Sequence, residues 1–217
     1  MSPRKAAVLR GREDERDLRG HLIATAEQMM AEQGSTGLTV RAIARAAGVA
    51  DGVLYNHFTD KEELLAAALR AHVDGVQREL GPLPDAGVGE VETNLRSYLS
   101  RGLELHRAVV PVFAGLLAHP AVLARFAESN QGEQDWRDRL GNYLHAERDL
   151  GRLAPDAQVD AAVAMLVGVC HDNVLSALLA GHPVAAAPSV DAVVVAVLDG
   201  IGARAVSAPG RNPPTPG

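Results

Sequence analysis

The sequence predicts an all-α protein, and three observations carry that reading. Alanine is abundant, and alanine, leucine and arginine all favour helix. No long stretch alternates apolar and polar residues with the period of a strand. Segments with apolar residues three or four apart lie between helix-start residues and Gly or Pro stops. The chain has 217 residues, 47% of them hydrophobic and 22% charged. That is enough to bury a substantial core without disulfides or a structural metal.

Asp17 to Gln33 reads as the first helix, with Leu18, Leu22, Ala26, Met29 and Met30 on one face and Gly34 as its stop. Thr39 is the N-cap of the next, whose apolar side is Val40, Ile43 and Ala47 and whose end is Gly48. After the turn GVAD, Asp51 to His57 is a short helix that turns Val53 and Leu54 inward. Asp60 caps a long helix that ends near Gly81-Pro82, with Glu63 completing a capping box. GPLPDAGVG, residues 81–89, is Gly/Pro-rich and marks a break. Further helices are expected from Val91 to His106, Ala108 to Ala118 and Ala121 to Leu150. Pro111 lies near the start of the second of these, where proline is tolerated, and Pro120 separates it from the third. Asp156 to Ala180 is another, closed by Gly181 and Pro183. Ser189 caps a last helix through Arg204, despite strand-like branching in AVVVAVL.

Residues 39–58 thus form a helix, a glycine-containing turn and a second helix, the plan in which the second helix enters the major groove. Ala42, Ala46, Ala47 and Gly48 allow the two helices to approach closely. The stretch TVRAIARAAGVADGVLYNHFTDKEELL resembles the DNA-binding motif of TetR-type transcriptional repressors. Shared features are Thr-x-x-x-Ile-Ala, Ala-Gly-Val at the turn, Leu-Tyr-x-His-Phe and Lys-Glu-Glu-Leu-Leu, over roughly residues 17–70. The resemblance implies a three-helix reading head at 17–62 and a larger helical effector-binding and dimerisation domain at 63–204. A basic flexible arm at 1–16 and a disordered tail at 205–217 are expected to flank them.

Within that resemblance, the Thr39 hydroxyl sits at a helix N-terminus that suits a phosphate, and Arg41, one turn in, reaches phosphate or a groove edge. Tyr55, His57 and Lys61 are implied backbone contacts, and Asn56 reads a base or bonds a phosphate. Three positions depart from the pattern. Ala50 replaces a common hydroxyl residue, and Val53 offers a methyl that can meet a thymine methyl. Asp51 either caps its helix or accepts from cytosine, and capping is the simpler reading. Phe58 is expected in the core.

Charge distribution supports this placement. Residues 1–61 hold nine Lys/Arg against eight Asp/Glu, a net of +1, within a chain whose net charge is −6. The acidic remainder argues against nonspecific nucleic-acid binding. No nucleophile elbow, H-E-x-x-H, phosphate loop or cysteine pair is present, so an enzyme is not expected, and no cofactor is implied. Cys170, His171 and Asp172 point in different directions on one helix, so no metal is expected there. The single cysteine and charged N-terminus favour a cytoplasmic protein with no membrane partner.

The acidic body is expected to supply the homodimer and the effector site. AAVAMLVGVC is apolar on nearly every face and must be buried on more than one side. Val193, Val197, Leu198 and Ile201 give the final helix a matching stripe, and the resemblance implies an intersubunit four-helix bundle. A small, largely apolar effector is expected between head and bundle, with Phe113, Leu117, Trp136, Leu140, Met165 and Val169 as the favoured contacts. His106, His119, Phe126, Tyr143, Cys170, His171 and Asn173 belong to the wider candidate set. The implied partner is a palindromic double-stranded operator. The implied activity is repression released by the effector, with activation as the alternative.

Overall fold

The computed structural model describes residues 3–33, 38–129, 135–180 and 188–199, with side-chain surroundings for all of these but 3–16, 33 and 180. Among the described residues are nine helices and no strand: α1 (Pro3–Gln33), α2 (Val40–Ala47), α3 (Asp51–His57), α4 (Lys61–Glu79), α5 (Val91–Leu116), α6 (Pro120–Ser129), α7 (Trp136–Asp149), α8 (Val159–Ala180) and α9 (Val190–Asp199).

Local chemistry sets the boundaries around the head. Thr39 Oγ1 accepts from the Ala42 amide at 3.1 Å and starts α2. Gly48 ends it in the left-handed region (φ 72°), where a side chain would be strained, and the chain turns at once into α3. Asp60 Oδ1 accepts from the Glu63 amide at 2.9 Å. Glu63 in return takes the amide and hydroxyl of Thr59, one residue further back than the usual capping box. Those bonds, with Arg19 beside them, hold the Glu63 carboxyl below its ordinary range.

Four expected elements differ. The segment read as a flexible arm is helical from Pro3, because a proline suits the first helical position and Arg, Ala, Leu and Glu that follow favour helix. The break expected after His106 is absent, and Pro111 lies inside the continuous α5. Pro111 and Arg107, whose carbonyl loses its partner, both lie on the exposed face, so water can replace the missing bond. The long helix expected from Ala121 to Leu150 is two, since the Asp135 side chain accepts from the Asp138 amide at 2.8 Å and starts α7 afresh. The helix expected from Asp156 begins at Val159. Ser189 caps α9 through the Ala192 amide, while Ile201, Arg204 and the tail expected at 205–217 lie outside the described residues.

Two apolar clusters make the core, and α4 belongs to both. The first joins Leu22, Met30, Ile43, Leu54 and Phe58 of the head to Leu64, Leu65 and Leu69 of α4, and continues to Leu116 and Val122. The second gathers α5, α7, α8 and α9, with Val76 of α4 and Leu80 just past its end packed against it. One helix therefore carries the head's floor at one end and the body's edge at the other. Phe58, 3% exposed and beneath the Arg19 guanidinium at 4.7 Å, closes the head. Phe58→Ala is expected to cost about 3–5 kcal/mol in urea unfolding. Tyr55→Ala, at an exposed position three residues earlier, should change stability by less than about 1 kcal/mol.

Candidate nucleic-acid interface and effector cavity

Helix α3 divides cleanly by face. Leu54 and Phe58, four apart, point into the core, while Asp51, Tyr55 and Asn56 face outward. Tyr55 is 61% exposed, which separates it from a core aromatic. Val53, His57 and Lys61 are half-buried at the edges of the same surface, and Thr39 and Arg41 are exposed beside it. The eight residues expected to meet DNA thus lie on α2, α3 and the start of α4. Exposed Arg45 in the last turn of α2 is a further cation that the sequence reading passed over.

Asp51 corrects one expectation. The N-cap of α3 is Ala50, which has no side-chain capping bond, and Asp51 is the first helical residue. Its carboxylate accepts from Arg41 Nε at 3.2 Å instead of capping the helix. The acid therefore orients the cation that α2 presents. Both side chains are largely exposed, so the pair contributes little stability and leaves Arg41 free to exchange the carboxylate for a phosphate.

Two hollows lie next to α4. The larger, about 980 Å³, sits between α1, α4 and α6. Its walls carry the ion pairs Arg19–Glu63 and Arg70–Asp74 and no aromatic ring, so it is a poor match for an apolar guest. The other, about 760 Å³, lies among α4, α5, α6, α7 and α8. Val73, Val109, Val110 and the edge-to-face pair Phe113–Phe126 (centroids 5.3 Å apart) give it an apolar end. His106, Trp136 and His171 form a polar end, with Arg137 and Arg139 exposed at its rim.

Only part of the expected contact set meets there. Phe113 and Trp136 line this cavity. Leu140 is fully buried in the body core and does not line this cavity. Leu117, just past the end of α5, is 71% exposed. Met165 and Val169 line a separate groove between α5, α8 and α9. These four face other ways because apolar character alone does not show which side of a helix its neighbours in space will cover. The α4 residues Val73 and Gln77 were missed, since one amphipathic stripe does not show that a helix borders a cavity as well as a core. Cys170 is buried, which pushes its thiol up to about 12, while His171 lines the cavity and Asp172 the groove.

The polar end is tightly built. Trp136 lies so close over Gly102 that a Cβ there would meet the indole at 2.2 Å, so only glycine fits. His106, one turn on, donates Nδ1–H to the Gly102 carbonyl at 2.6 Å. Its ring stands edge-on to Trp136 at 5.4 Å and to His171 at 4.9 Å. Burial lowers the His106 pKa below its usual 6.5; the carbonyl bond and Asp135 oppose this, and His171 adds to it.

The exposed face of α3, flanked by cations and held on a packed α2, defines a helix-turn-helix transcriptional regulator. Residues 22–68 match the family profile of bacterial regulatory proteins, tetR family. The chain is 29% identical over 144 residues to the HTH-type transcriptional repressor KstR2 of Mycobacterium tuberculosis, covering 65% of this chain and 72% of that protein. It is 41% identical over 63 residues to the HTH-type transcriptional activator FasR of Mycolicibacterium smegmatis, covering 29% of this chain and 28% of that one. Among solved structures, the flavonoid-responsive regulator FrrA superposes with a TM-score of 0.61 at 26% identity, over 84% of this chain and 94% of that one. Residues 22–68 thus carry the DNA-binding segment of the tetR family, and the relatives that match this chain are transcriptional regulators.

The buried imidazole gives a pH signature. With its folded pKa depressed, His106 takes up a proton more readily in the unfolded chain, so its contribution to stability is lost as pH falls through about 6.5. Urea unfolding at about pH 7.5 and 5.5 should show lower stability at the acid end, and His106→Gln should flatten the difference.

Proposed function

We propose that the protein is a ligand-released repressor that binds a palindromic operator as a homodimer, with the 760 Å³ cavity as its effector site. The observation that carries this reading is a short physical link between cavity and head. Phe126 lines the cavity, and the adjacent Arg125 Nη2 donates to Asp60 Oδ2 at 2.6 Å. Asp60 is the N-cap of α4, next to Lys61 and two residues after the reading helix closes at Phe58. A guest that displaces Phe126 moves α6, and with it the cap on which the reading head is set. Release requires that the guest favour a head spacing that misfits the operator.

The dimer reading rests on α8. Val163, Leu166, Val167, Cys170 and Val174 face the body, while Ala161, Met165, Gly168, Leu175 and Leu179 form an exposed stripe on the opposite side. Among the described residues this is the one helix long and apolar enough to cross a membrane, Val159–Leu179, but its packing on α5 and α7 and the operator reading favour a partner subunit as its cover. Two heads would then meet successive turns of one face of DNA, roughly 34–36 Å apart. The head matches a repressor and an activator alike, and repression is preferred because the KstR2 match extends through much of the body.

An operator is obtained by selecting bound genomic fragments, and affinity is then read by fluorescence anisotropy. Lys61→Ala should weaken binding about equally for all sequences and reduce the salt slope by about one unit. Met165→Asp combined with Leu175→Asp should give a monomer by light scattering and at least about a tenfold loss of operator affinity. Arg125→Ala should keep operator affinity within about threefold while losing most of its response to compounds that release the parent protein. A variant that still responds fully would remove the proposed link.

A further inference from the structure

The polar end of the cavity holds two complementary vacancies in hydrogen bonding. His106 Nδ1 is committed to the Gly102 carbonyl, and a carbonyl can only accept. The proton is therefore on Nδ1, and Nε2 of the neutral ring is left as an acceptor. Trp136, 5% exposed, offers the opposite function: its indole N–H is buried and has no partner among the described residues. Buried donors in folded proteins are seldom left unbonded, and leaving one so is costly. Both side chains pack against the same glycine, the indole over Gly102 and the imidazole bonded to its carbonyl. The two side chains thus lie against one glycine at the polar end of the cavity, beside an apolar end walled by Phe113 and Phe126.

We propose that the cavity selects a ring-bearing apolar effector with a neutral hydroxyl group, held between the His106 imidazole and the Trp136 indole. A hydroxyl is the smallest group that both donates and accepts, so it satisfies the two side chains at once. An aldehyde or ketone would meet only the indole. A carboxylate would require His106 to take up a proton in a site whose burial opposes it. The rim guanidiniums of Arg137 and Arg139 are exposed to water, where they hold an anion weakly. The ring-bearing body is required by the apolar walls, where stacked or edge-on aromatic contact is available. This inference rests on the reading of the cavity as the effector site.

Trp136 is the single tryptophan of the chain, so its fluorescence reports on this cavity directly. Three probes of one shape separate the chemistry: 4-phenylphenol, 4-methylbiphenyl and biphenyl-4-carboxylate, titrated into the full-length protein at about pH 7.5. The phenol should bind about tenfold or more tighter than either of the others, as one satisfied buried pair would give. His106→Phe keeps a ring at the position but removes the acceptor. It should cut the phenol's advantage several-fold, the indole bond alone remaining, and leave 4-methylbiphenyl binding nearly unchanged. Equal or tighter binding of the methyl or carboxylate probe to the parent protein would overturn the hydroxyl assignment, as would an advantage undiminished in His106→Phe. Failure of all three to bind would overturn it too. Operator affinity, measured alongside, keeps the two readings apart. A probe that binds without the phenol's advantage yet weakens operator binding would leave the effector site standing, whereas one that binds and leaves operator affinity unchanged would overturn that site.

Discussion

The position of α4 constrains everything the reading head can do. Its first half supplies Leu64, Leu65 and Leu69 to the core that holds α1, α2 and α3 in place. Its second half carries Val73 and Gln77 to the cavity wall and Val76 to the body core, where Leu80 follows just past its end. A packed helix moves as a body, because close-packed side chains shift between arrangements rather than deform. Any change at the cavity that displaces α4 must therefore displace Lys61 and the helix-turn-helix with it. The Asp60–Arg125 pair gives α6 a second hold on the same end. Both holds act within a few residues of Phe58, where the reading helix ends.

Electrostatics in the head follow from the same economy of elements. Helix α3 carries no lysine or arginine, which leaves its outer face to Tyr55 and Asn56. Charge comes from its neighbours: Arg41 and Arg45 on α2, and Lys61 on α4. Asp51 refines this by holding Arg41 in an exposed pair that is easily exchanged. The backbone of α1 continues to Pro3, so the basic residues Arg4, Lys5, Arg10 and Arg12 belong to a helix and not to a loose arm. In the proposed function, phosphate attraction and base reading are separate tasks carried by different helices.

The head was legible in the sequence because its rules are local. Thr39, Gly48, Asp60 and Glu63 mark their helix ends by hydrogen bonds within a few residues, and each of these marks is found in place. The inward pair Leu54 and Phe58 follows from spacing alone. The body was less legible because its errors were cumulative. Pro111 looked like a helix start, yet an exposed face let α5 run through it. Asp135 looked like one more polar helical residue, yet it caps a new helix. Phe113 and Trp136 were found at the cavity since large apolar side chains mark pockets wherever they fall. Leu140 and Leu117 were not, because burial and exposure there depend on how helices distant in sequence cross. The Gly102–Trp136 contact could not be read from either residue, since its cause is a packing distance between α5 and α7.

In the proposed function cavity and reading head share one equilibrium, so each must weaken the other's ligand by the same factor. Calorimetric titration of 4-phenylphenol into the free protein and into the protein saturated with operator measures this directly. Binding to the operator complex is expected to be weaker, by the factor with which the phenol weakens operator binding. Equal affinity for the two forms would contradict it.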